Sequence, residues 1–171
     1  MNLNLIVSGP VGILPVLLFL QALQYLDSFK LVRLKFIVSM IVAGGSLAGL
    51  AYYLNGILLE LLDIEFLTYA RYCAPAIEEG FKASVLVFLF KTHRIGFLVD
   101  SAIIGFALGT GFAVVENFYY LYVIGDANLG VWIVRGFGTA IMHGGTTAIF
   151  AIISVVIIET EDTALRNYAP G

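Results

Sequence analysis

An all-α, polytopic membrane protein is what this sequence predicts, and three observations carry the prediction. Of its 171 residues 60% are hydrophobic and only 12% are charged, against roughly 25% charged residues in a soluble domain. The apolar residues gather in five runs, each long enough to cross a hydrocarbon layer of ~30 Å as a helix. The basic residues of the connections fall on alternate loops, as they do when loops alternate between the two sides of a bilayer. A mean hydropathy of +0.97 agrees with this class. The formal charge of −3 provides no basic face for nucleic acid. Cys73 is the only cysteine, so no internal disulfide forms. The opening Met1-Asn2-Leu3-Asn4 lacks the basic region of a signal peptide, and the first run reads as a retained anchor.

The five runs are residues 5–26, 36–61, 66–90, 99–124 and 131–158. Short connections and the absence of any low-complexity linker make the chain, 1–171, one integral-membrane domain, with its chemistry-bearing core at about 66–158. Lys30, Arg33 and Lys35 occupy the first loop, and Lys91 and Arg94 the third. The second and fourth loops carry only acidic charges, Asp63, Glu65 and Asp126. The odd loops are therefore expected in the cytoplasm, with the N-terminus outside and the C-terminal tail, 159–171, inside.

The first run contains Pro10 and Pro15, which should bend it. The second holds Gly44, Gly45 and Gly49, small residues that permit close helix approach. The third carries Ala74-Pro75-Ala76-Ile77-Glu78-Glu79-Gly80-Phe81-Lys82 in its middle. Three charges in five residues of an apolar run need partners or a task, since each costs at least about 2.5–3.5 kcal/mol near a bilayer centre. Glu78 and Lys82 share a helix face at i, i+4, and Glu79 reaches the same lysine at i, i+3, so Lys82 can steady either glutamate. Pro75 has no N–H for the carbonyl of Arg71, which should loosen the helix one turn before the glutamates.

In the fourth run Gly105 and Gly109 form a GxxxG pair that another helix can approach closely. Glu116 and Asn117 lie well inside this run, followed by Tyr119, Tyr120 and Tyr122 where an outer aromatic belt is expected. The fifth run has Arg135 near its outer end and His143 deeper, followed by Gly144, Gly145, Thr146 and Thr147. At about 1.5 Å per helical residue, Glu79 sits mid-helix, His143 roughly 3 Å outward of its helix centre and Glu116 roughly 6–8 Å outward.

Two carboxylates and a histidine sharing one layer of a partly dry cavity suit peptide-bond hydrolysis. One group takes a proton from water and another supports the tetrahedral oxyanion. In this reading Glu79, with Glu78 beside it, activates water, Glu116 and His143 bind or polarise it, and Lys82 orients the pair. Glu79, Glu116 and His143 also make a three-ligand set for a divalent metal, zinc foremost, with a position left for water. Each residue has a plainer reading. Glu78 could simply lock to Lys82, Glu116 and Asn117 could be interhelical glue, and His143 could be a hydrogen-bonded packing residue. Arg135 could snorkel or pair with an acid, and Thr146 and Thr147 could bond back to the helix.

Three blocks together resemble the PrsW family of intramembrane proteases, relatives of the CAAX prenyl endopeptidase superfamily. They are Ala74-Pro75-x-x-Glu78-Glu79-x-x-Lys82, the stretch from Asp100 through Gly105 to Gly111-Phe112-Ala113-x-x-Glu116-Asn117, and Arg135 with His143. They span about residues 70–155, and the first 65 residues match nothing nameable. The resemblance implies an intramembrane endopeptidase of glutamic or metal-dependent type, with Glu78, Glu79, Glu116 and His143 catalytic and Lys82, Asn117 and Arg135 supporting. It implies a single-pass or membrane-anchored protein substrate, such as an anti-sigma factor cut on its outer side, and a place in a prokaryotic plasma membrane. Two positions depart from the wider superfamily: Glu116 stands where a histidine is usual, and Thr147 where Asn or Asp is common. The chain reads as a minimal or truncated core of such a protease. The competing class is a cation-coupled transporter, because intramembrane Glu and His also mark ion paths. Against it, the glutamate block is not repeated in a second half.

Overall fold

The computed structural model describes residues 3–26, 32–95, 97–124 and 128–168. Lys30 and Asp126, used above to orient the chain, lie outside the described residues, as do residues 169–171. The described residues form five long helices and no strand: α1 (Leu3–Leu26), α2 (Leu34–Leu62), α3 (66–91), α4 (Leu98–Ile124) and α5 (129–168). All five expected runs are helical, with ends shifted by a few residues. The largest shift is at the C-terminus, where α5 continues ten residues past the apolar run, to Tyr168. Neither Gly nor Pro interrupts it before Pro170, and a helix needs no apolar surroundings to keep its own hydrogen bonds.

By length and composition, Leu34–Leu62, Leu98–Val123 and Leu129–Ile158 are apolar enough to cross a membrane, which fits an all-α membrane protein. In α1 the apolar stretch among the described residues is Gly9–Ala22. Helix α3 falls short because Glu78, Glu79 and Lys82 interrupt its middle. The helix with the deepest core position is α4. Of its apolar window 67% is buried, against 28% for α2 and for α5. It packs against α1, α2 and α5, while α3 leans on α2 and on the later half of α5.

Small residues set these distances. A Cβ at Gly44 of α2 would overlap the carbonyl of Leu108, and one at Gly111 of α4 would overlap that of Ile41. On the opposite side of α4, a Cβ at Gly109 would overlap the His143 carbonyl, and one at Gly105 would come within 2.7 Å of the Thr147 carbonyl. The Gly105–Gly109 pair is thus a docking seam for α5, as expected for GxxxG. Gly49 faces open space instead and takes no part in close packing.

Two helices are locally widened. In α3 the segment Tyr69–Cys73 is a π-turn, with the Ala74 N–H reaching back to the Tyr69 carbonyl. It lies just ahead of Pro75, where the missing donor was expected to loosen the helix. In α5 a second π-turn, Ala140–Gly145, carries His143. Helix α1 runs through Pro10 and Pro15 without a break in its helical assignment.

Candidate active site

Lys82 stands at the centre of the polar cluster. It projects from the middle of α3 and is only 1% exposed. Its ammonium donates to Glu79 Oε1 at 2.6 Å and lies 3.0 Å from His143 Nδ1. The Phe112 ring lies beneath it, 4.7 Å from the nitrogen, and also packs on the imidazole with centroids 4.9 Å apart. A cation so enclosed needs these partners, because burial without them costs far more than the bonds return.

His143 links this half of the site to Glu116. Its Nε2 is 2.7 Å from Glu116 Oε2. An ammonium has only protons to offer, so Nδ1 is the accepting nitrogen and Nε2 carries the proton donated to Glu116; this tautomer follows from the neighbours. The other oxygen of Glu116 faces Arg135 Nη2 at 3.4 Å, and the Arg135 guanidinium stacks 3.8 Å from the Tyr120 ring centroid. A continuous polar chain therefore runs Glu79–Lys82–His143–Glu116–Arg135 across α3, α5 and α4.

The two adjacent glutamates part company. Lys82 selects the i, i+3 partner, Glu79, whose side chain is 46% exposed. Glu78 makes no ion pair with Lys82 among the described residues and is half-buried. Its carboxyl group lies within electrostatic reach of Glu116, His143 and Lys82. Both positions are within helical reach of Lys82, and in this structure the ammonium is taken up by Glu79 and His143.

Asn117 does not join this chain. It is 2% exposed, and its Nδ2 donates to the Gly12 carbonyl at 2.9 Å and to Thr139 Oγ1 at 2.8 Å. It ties α1, α4 and α5 together through Thr139, which lies one helical turn from both Arg135 and His143. Arg135 pairs with Glu116, which matches the second of its two plain readings. Thr147 Oγ1 donates to the His143 carbonyl at 2.5 Å, and Thr146 bonds likewise to the Met142 carbonyl. Both serve the helix backbone beside the π-turn, as expected of threonines in such a segment.

The site also uses two residues to which sequence reading gave no role there, placing Tyr120 in the outer aromatic belt and quoting Phe112 only within the second motif block. Phe112 forms a platform for Lys82 and His143, and Tyr120 one for Arg135. Tyr120 follows Glu116 by four residues, a spacing that places both on one face of α4. Phe112 gives no such signal, because one more phenylalanine in an apolar helix reads as packing.

Among the described residues, no three of His, Cys, Asp and Glu converge where an ion could be held. Of the three metal ligands expected, His143 and Glu116 touch each other, while Glu79 is held by the Lys82 ammonium. A cleft of about 230 Å³ opens beside this chain between α3 and α5, lined by Glu79, Gly80, Lys82, Ala83, Thr147 and Phe150.

A search of curated proteins and one of solved structures each return no match. A sequence profile described as PrsW family intramembrane metalloprotease matches residues 32–170. The match begins at the foot of α2, so it takes in a helix that the three motif blocks leave out, and it covers every residue of the polar chain. Over most of its length, including all the helices that build the site, the chain belongs to the PrsW family of intramembrane metalloproteases.

Proposed function

We propose that this intramembrane peptidase cleaves a single-pass or membrane-anchored protein, for instance an anti-sigma-factor-like one, near the outer side of a plasma membrane that it crosses several times. Glu78 serves as general base. It takes a proton from a water molecule, and the water oxygen attacks the carbonyl carbon of the scissile bond. Arg135 and the His143 Nε2–H, which now both face Glu116, donate to the developing oxyanion. When the intermediate collapses, the C–N bond breaks and Glu78 returns the proton to the leaving nitrogen, so the enzyme ends as it began. Glu79 and Lys82 act on the other side of the imidazole, fixing its tautomer and position.

The family's name implies a metal. Zinc would supply Lewis-acid activation of water, drawing on Glu79, Glu116 and His143. The donors as arranged do not fit it. The Lys82 ammonium already bridges Glu79 and His143 Nδ1, and His143 Nε2 is directed at Glu116 rather than at a shared third point. The hydrolytic steps therefore run through the chain's own residues. Metal analysis of purified protein, with activity followed through exhaustive chelation, tests this. Unchanged activity is expected, and a loss restored by added zinc would transfer water activation to a metal.

The observation that carries the reading is that Lys82 pairs with Glu79 and not with Glu78, which keeps a half-buried carboxyl group with no ion pair to that lysine among the described residues. With a membrane-anchored reporter, Glu78→Gln should lower turnover about 10²–10⁴-fold, the usual contribution of a general base. Glu79→Gln should cost less, because it keeps a hydrogen-bond acceptor for Lys82. The reverse order would assign the base to Glu79.

A further inference from the structure

The cleft between α3 and α5 has an unusual origin. Most glycines near the site are filled against: a Cβ at Gly109 or Gly105 would strike the backbone of α5. Gly80, in contrast, has no atom within 4 Å of where its Cβ would stand. A mid-helix glycine costs roughly 0.5–1 kcal/mol relative to alanine, and here close helix packing does not offset that cost. Ala83 follows one turn later on the same side of α3, so that side is kept small over two turns. Facing it on α5 are Thr147 and Phe150, also one turn apart. The result is a space of about 230 Å³, walled mostly by apolar atoms, at mid-helix depth.

Its size and rim restrict what it can take. Binding sites for drug-sized ligands or cofactors occupy about 300–1,000 Å³, so this cleft is too small for one. It is much larger than one water molecule, whose share of liquid volume is about 30 Å³. A single apolar side chain suits both the volume and the walls. Two of its lining residues, Glu79 and Lys82, belong to the polar chain of the site and hold the Nδ1 side of His143, so an occupant would sit one imidazole ring away from the reacting groups. In an extended peptide consecutive side chains lie about 3.3 Å apart along the strand and point to opposite faces, so one of them can enter a side pocket while its neighbour's carbonyl meets the base.

We propose that this cleft is the subsite that selects the substrate by one large apolar side chain, of leucine to phenylalanine size, flanking the scissile bond. Gly80, with no side chain, lines the pocket and leaves it open on the α3 side. The assignment rests on the peptidase reading, and the test separates the two. Membrane-anchored reporters carrying Ala, Leu or Phe at each position around the cut are compared with full-length enzyme in lipid nanodiscs. The wild type should favour Leu or Phe over Ala at one position. Gly80→Phe, which has open space for its ring, should lower the Phe-to-Ala ratio of kcat/KM at that position at least tenfold, as size discrimination in apolar pockets allows. Ala83→Leu, entering the same space, should shift the ratio in the same direction and covers the case in which Gly80→Phe fails to fold.

Binding of uncleaved reporters to Glu78→Gln, followed by fluorescence anisotropy, reads the pocket without hydrolysis. A Phe-over-Ala binding preference that disappears when Gly80→Phe is added supports the subsite, even if no reporter is ever cut and the peptidase reading falls. Identical side-chain preferences with and without the pocket-filling substitutions would overturn it.

Discussion

Lys82 is the residue on which the site turns, since one ammonium positions a carboxylate, an imidazole and, through the imidazole, a second carboxylate. Lys82→Met keeps much of the volume and the contact with Phe112 but deprives His143 Nδ1 and Glu79 of their donor. Glu79 is 46% exposed and can recover hydrogen bonds from water. The stability loss should therefore stay near the ~1–3 kcal/mol of one unsatisfied buried group, below the ~3–5 kcal/mol of a broken buried ion pair. Activity should fall much further, because the imidazole is then free to change tautomer. Thermal unfolding in detergent, measured beside reporter cleavage, separates the two effects. Equal fractional losses in both would make Lys82 a purely structural residue. The sequence spacing brings either glutamate within reach of Lys82, and only the packing of Phe112 and His143 around the ammonium makes Glu79 its partner.

At the scale of elements, the placement of His143 depends on the seam between α4 and α5. Gly109→Leu would drive a side chain into the His143 carbonyl and force α5 outward. Overpacking of this kind costs about 1–3 kcal/mol. The expected outcome is a lower melting temperature together with loss of cleavage. The matching change at Gly49, which faces open space, should leave the stability within the roughly ±0.5 kcal/mol typical of unencumbered sites and the melting temperature nearly unchanged. Comparable destabilisation by both substitutions would contradict the seam. This seam is legible in the sequence, because GxxxG states a spacing and the spacing has one geometric meaning. The widened turn before Glu78 is legible too, since proline removes a specific donor. The π-turn around His143 is not, because Ala140–Gly145 contains no proline or other local signal for a widened turn.

For the whole molecule, the alternation of basic loops predicts which ends face the cytoplasm. With Cys73 replaced by serine, a single cysteine at Glu65 should react with a membrane-impermeant maleimide applied to intact cells, and one at Thr92 should not. The opposite labelling would invert the molecule and move the proposed cleavage to the inner side. The five helices, their order and the charged residues of the polar chain could be read from the sequence, since each rests on a local rule: the length of an apolar run, the cost of a charge in lipid, a helical spacing. Which glutamate pairs with Lys82, the retreat of Asn117 into a joint among α1, α4 and α5, and the cleft beside Gly80 were decided by the tertiary structure alone. They depend on how far helices stand apart and how they are rotated about their axes. In lipid, where almost every face of a helix is apolar, the pattern of residues along the chain leaves that rotation undetermined.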